Sequence, residues 1–145
     1  MEKFNNTYKL LFFLTLFSFC GNSFSQNLFV TKLSDLEFGD VFIGTVNVDV
    51  PHTDARAAKF SFYHTRTGNR TMTVTFTLPN NLVFGANNLP ITFDQAHSAW
   101  LNNDQVGGRE NFDPWVGFTT GRSRANEVKY VWLGANIAST TGYPS

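Results

Sequence analysis

Three histidines, scattered carboxylates and a set of aromatic rings are the groups in this chain that could do chemistry, and their spacing decides among the options. His52, His64 and His97 stand at no metal-ligand spacing, and the single cysteine, Cys20, lies in an N-terminal apolar run. A structural zinc site is therefore not expected. Asp94-x-x-His97 and Asn102-Asn103-Asp104 offer oxygen ligands for calcium, but neither has the spaced acidic pattern of a calcium loop, so both read as turn residues. No G-x-S-x-G elbow frames a serine, which leaves a nucleophilic triad without local support. Glu37, Glu110 and Glu127 would serve glycoside hydrolysis only if folding brought two of them within several ångströms, and their spacing does not require it. The expectation is a non-enzymatic chain with no catalytic residue, no cofactor and no metal.

The aromatic residues allow a different chemistry. Trp100, Trp115, Trp132, Tyr130 and Tyr143 carry flat faces that stack on sugar rings, and the same rings equally well fill a core. Trp132 sits in a strand-like run and is expected in the core. Trp115 lies in the loop-like stretch F-D-P-W, which favours exposure. Trp115, Trp100 and Tyr143 are thus the candidate contacts for a glycan or a protein partner.

These groups need elements to position them, and the clearest element is Arg70 to Pro79. Met72, Val74, Phe76 and Leu78 alternate there with Thr71, Thr73, Thr75 and Thr77, which predicts a strand with an apolar row on the core and a threonine row towards water. Val46, Val48 and Val50 predict another half-buried strand, ended by Pro51. Ala58, Phe60 and Phe62 alternate with Lys59, Ser61 and Tyr63, and Gly68-Asn69 after them signals a hairpin, so this run is expected to pair antiparallel with the Arg70–Pro79 strand. Asp94 to Trp100 is compatible with one helical turn. Glu127 to Leu133 carries apolar weight on both faces, which suits a strand covered on both sides or lying at an interface. About seven short strands with regular turn signals and almost no helix predict an all-β chain, an antiparallel immunoglobulin-like sandwich.

At the N-terminus a polar stretch with Lys3 and Lys9 precedes the apolar run Leu10 to Cys20, and Ser23 and Ser25 follow as a small-x-small pair. The run is about half of what a membrane-spanning helix needs, so residues 1–25 read as an export signal peptide and 26–145 as one domain. Acylation of Cys20 is disfavoured by Phe19, where a small residue is required. The eleven basic and eleven acidic residues include Lys3, Lys9 and Glu2, so the exported part keeps nine and ten. So near-neutral a chain has no field to recruit nucleic acid or an anionic membrane, and neither is expected as a partner. With no cysteine left for a disulfide, stability has to come from packing, which suits a sequence whose sixteen phenylalanines include ten in the exported part. Localisation would be the periplasm, the outer surface or the medium.

Leu36-Glu37-Phe38-Gly39, Phe60, the strand running into Leu78-Pro79, and Leu133-Gly134 to Gly142-Tyr143 resemble the bacterial family called domain of unknown function 4402. That resemblance implies a secreted sandwich domain, similar in pattern to spore coat protein U and to pilus subunits assembled by chaperone and usher, and it implies no catalytic residues. In that family the G-x-Y stretch leads into one more strand, whereas Gly142-Tyr143 is followed here by two residues. Either the sequence continues beyond Ser145, or the sandwich lacks its last strand. A sandwich one strand short exposes unpaired backbone groups and an apolar groove that a strand of another chain fills. Leu28, Val30 and Leu33 are candidate donor residues for such a strand, and the simpler reading makes Asn27 to Leu33 the domain's own first strand. The function expected is therefore a structural or assembly domain of the cell envelope that meets protein partners or itself through strand edges. The alternative is a carbohydrate-binding or adhesin module built on exposed aromatics.

Overall fold

The computed structural model describes residues 27–41, 46–84 and 87–139. The signal-peptide and Cys20 readings, Tyr143 and the final strand question lie outside these residues. The fold is all-β, and its largest element is a five-stranded antiparallel sheet in the order β1 (Leu28–Ser34), β3 (Ala58–His64), β10 (Lys129–Leu133), β7 (Ser98–Leu101), β8 (Glu110–Asn111). Three small pairs accompany it: β2 (Val46–Val50) with β11 (Ala135–Ser139), β4 (Thr73–Val74) with β9 (Phe118–Thr119), and β5 (Asn81–Phe84) with β6 (Asn87–Pro90).

Strand alternation explains the layering. In register, Val30 faces Phe62, Lys129 faces Phe62 and Val131 faces Phe60, so one face of the large sheet carries Leu28, Val30, Phe60, Phe62 and Val131. Above it runs the stretch 71–78, whose Met72 is buried and whose Val74, Phe76 and Leu78 are half-buried while its threonines are exposed. Phe62, Met72, Phe112 and Val131 make one core cluster. Ala58, Ile91, Phe93, Leu133 and Ala135 make the other, with Leu36 and Phe38 packed on it.

Two expectations need correction. The run at 58–64 does not pair with 70–79: β3 lies between β1 and β10, and β4 pairs with β9 in the other layer. Side-by-side pairing would put the two apolar rows on a common face, whereas an arch through Gly68 sets Met72 directly over Phe62 and buries both. Asp94 to Trp100 forms no helix. Asp94 Oδ1 accepts from the amides of Ala96 (2.8 Å) and His97 (3.1 Å), closing a turn, and β7 starts at Ser98.

Gly134 joins β10 to β11, where a Cβ would run into the carbonyl oxygen of Val50, so the chain can bend from the large sheet onto β2 only with glycine at this point. The same proximity lets Val50 and Ala135 pack with no exposed surface.

Candidate partner-binding site

The second layer stops short of the first. β4 is bonded on one side only by the segment 118–123: Thr120 N–H donates to the Met72 carbonyl (2.9 Å), and Arg70 and Ser123 exchange both backbone bonds. Alternation in an antiparallel ladder then turns the backbone groups of Thr71, Thr73 and Thr75 to the opposite edge. At that edge the large sheet continues beneath as β3 and β1, and no described strand of the second layer covers it. The result is an apolar groove of about 360 Å³ between Leu28, Val30, Phe60, Phe62 and Val131 on its floor and Met72 to Phe76 on its wall.

β1 overhangs this groove. Its far edge has no partner strand among the described residues, and Leu28, Phe29, Val30 and Leu33 are all exposed, Val30 at 66%. Phe29 is steadied on the outer face by stacking on Tyr63 at 5.1 Å. One end of the groove turns polar, lined by Asn27, His64, Arg66, Arg70 and Thr71. His64 is buried there, its Nε2 lying 3.0 Å from the Ser123 carbonyl while its buried Nδ1 has no described partner. A ring that donates through Nε2 leaves Nδ1 as an acceptor.

The aromatic candidates fall apart. Trp100 lies half-buried on the inner face, stacked on Phe118 at 5.2 Å. Trp115 is half exposed beside the exposed Val116, as its loop context suggested, but its indole N–H donates to the Phe93 carbonyl (3.0 Å), and its ring meets Phe93 edge-on. Trp132 is buried on the outer face. Its cover is Arg109, whose guanidinium sits 3.6 Å from the ring centroid and also binds the Gln105 and His52 carbonyls. Burial lowers the pKa of Arg109 from its ordinary value. Sequence reading placed Trp132 in the core and could not name Arg109, because nothing near Arg109 in sequence is aromatic until Phe112.

A polar cluster sits on the closed side. His97 Nδ1 and Nε2 each lie 2.6 Å from a carboxylate oxygen, of Asp94 and Asp49 respectively. Asn136 donates to Asp49 (3.1 Å) and to Asn47 (2.6 Å), so the cluster ties the 94–97 turn to β2 and β11. Burial alone would lower the His97 pKa, but the two carboxylates outweigh it and raise it. Asp49 is lowered by Asn136 and then His97; Asp94 is lowered too, its bonds to His97 overcoming burial. His52 shifts the other way, down, through burial and the nearby Arg109. Among the described residues no group of three or more histidine, cysteine or acidic side chains is arranged to hold a metal, and no helix is long and apolar enough to cross a membrane.

Comparison with family models, with curated proteins and with solved structures returns no match.

Proposed function

We propose that this chain is an exported, non-enzymatic assembly domain of the bacterial envelope or surface, which joins another protein chain by taking an extended strand into the groove beside Met72–Phe76. The single observation that carries this reading is the lane in the second layer that no described strand fills: an apolar floor, an apolar wall and a backbone edge lie together. A strand entering there gains main-chain hydrogen bonds from Thr71, Thr73 and Thr75 and buries its alternate side chains on Phe60 and Phe62. The export signal read at residues 1–25 and the resemblance to the domain of unknown function 4402 family support the same reading.

The test is hydrogen exchange with and without synthetic strands of seven to nine residues carrying apolar side chains at alternate positions. Binding should slow exchange at Thr71, Thr73 and Thr75 and raise the unfolding midpoint. Unchanged exchange at those three amides with every such peptide would remove the reading.

A second reading, glycan binding, is favoured by one feature. Trp115 is half exposed yet held by its bond to Phe93, which gives a fixed ring face at low entropic cost. Quenching of tryptophan emission by oligosaccharides, lost in Trp115→Ala, would establish it.

A further inference from the structure

We infer that the occupant of the lane, which no described strand fills, is β1 of a second copy, the two copies joining as a two-fold lap joint. This rests on the strand-accepting reading and names its partner. β1 and the stretch 70–78 both run antiparallel to β3: Leu28 pairs with His64 and Lys32 with Phe60, while Met72 packs with Phe62 and Leu78 with the cluster around Ala58. They therefore point the same way in opposite layers, on the same open side of the molecule. A two-fold axis parallel to these strands exchanges the layers. It brings the overhanging β1 of each copy into the lane that the other leaves empty.

Each half of the joint supplies what the other lacks. β1 presents a free backbone edge and the exposed Leu28 and Val30; the lane presents the edge of Thr71, Thr73 and Thr75 and an apolar floor. The new pairing, the seven residues of β1 against the extended stretch around β4 of the other copy, is parallel. Leu28 and Val30, which share their face with Lys32 at the Asp35 end of the strand, then face their own counterparts across the axis, which removes these two exposed apolar side chains from water. The arrangement satisfies both edges at once and closes on itself, so association stops at two. It also gives a reason for Leu28 and Val30 to be exposed on the inner face of an edge strand, where isolated edges usually carry protective charge.

The experiment is sedimentation equilibrium on the exported chain as processed, over a wide concentration range, for wild type, Val30→Lys and the control Val83→Lys, whose side chain is equally exposed on the β5–β6 hairpin. The expected result is a reversible dimer, with Val30→Lys raising the dissociation constant at least about tenfold and Val83→Lys leaving it unchanged. Circular dichroism and the unfolding midpoint of Val30→Lys establish that the variant is folded, since its site is solvent-exposed in the single copy. A monomer at every concentration overturns the joint; if that monomer still protects Thr71, Thr73 and Thr75 when given a strand peptide, the strand-accepting function stands with another partner, and if it does not, both fall. Open-ended polymer also overturns it, because a closed two-fold joint leaves neither β1 nor the lane free to continue from. A dimer indifferent to Val30→Lys does so as well.

Discussion

The two sides of this sandwich are made from the same kind of strand and end in opposite conditions. On the side of β2 and β11 the apolar side chains are covered: Val50, Ala135 and Ile137 are fully buried, and Ala135 packs in one cluster with Ile91, Phe93, Ala58 and Leu133. On the side of β1, a row of comparable hydrophobicity, Leu28, Val30 and Phe60, meets solvent across the groove. The chemistry of the residues does not separate the two sides. What separates them is whether a neighbouring strand is present among the described residues, so the difference gives stability to one side and leaves on the other the surface that the proposed association would use.

The largest effects should come from attacking the closed side. Ile137 is 1% exposed, and Ile137→Ala should cost about 2–5 kcal/mol, through lost burial and the cavity left in a packed layer. The matching change on the open side, Val30→Ala, should cost less than about 0.5 kcal/mol in a single copy. Urea unfolding of both variants at low protein concentration measures the contrast directly. Equal costs would mean that the open side is already covered in solution and the comparison is misdrawn.

An intermediate effect is expected where the outer face is capped. Arg109 lies over Trp132 and bonds two carbonyls, so Arg109→Ala should cost about 1–2 kcal/mol and shift tryptophan emission to the red as water reaches the indole. Arg109→Lys should recover little of this, since an ammonium cannot lie flat on the ring while serving both carbonyls. An unchanged spectrum would show that Trp132 is covered by its neighbours in the sheet instead.

How much of this could be read in the sequence depends on which physical signal each feature uses. Period-two alternation is local, and it correctly gave the faces of 46–50, 58–64 and 71–78, together with the all-β class. Pairing is not local. Gly68-Asn69 has the chemistry of a hairpin turn, and only the need to set Phe62 against Met72 decides that the chain arches between layers instead. The groove was not legible: the unpaired edge expected from the sequence rested on the stretch after Gly142-Tyr143, outside the described residues, whereas the lane lies beside Thr71–Thr75, where the strand shrinks to Thr73–Val74 and pairs, among the described residues, with β9 alone. Asp94 and His97 were read as turn residues, which they are, while Asp49 joins them from 45 residues upstream of Asp94 without any spacing that signals it.

The smallest and most selective effect should come from that last cluster, because it lies wholly on the closed side. The folded pKa of His97 is raised above 6.5, so its contribution to stability is fully present below about that pH and is lost as pH rises through the folded value. Asp49 and Asp94 are lowered from 3.8, so theirs is present above that value and is lost as pH falls through the folded pKa. His52, lowered from 6.5, acts in a different window: its effect is a loss of stability as pH falls below 6.5, when the unfolded chain takes up a proton more readily. The alkaline limb above pH 6.5 therefore belongs to His97 and the limb just below it to His52. Urea midpoints followed from pH 4 to pH 9 should fall across the alkaline limb in the wild type and stay flat there in His97→Gln, while His52→Gln should alter only the other limb. Hydrogen exchange across the same range should show the loosening at β2 and β11 and leave β1 unaffected. A His97→Gln profile parallel to that of the wild type would mean that the imidazole contributes no proton-linked stability, and that the closed side owes its closure to packing alone.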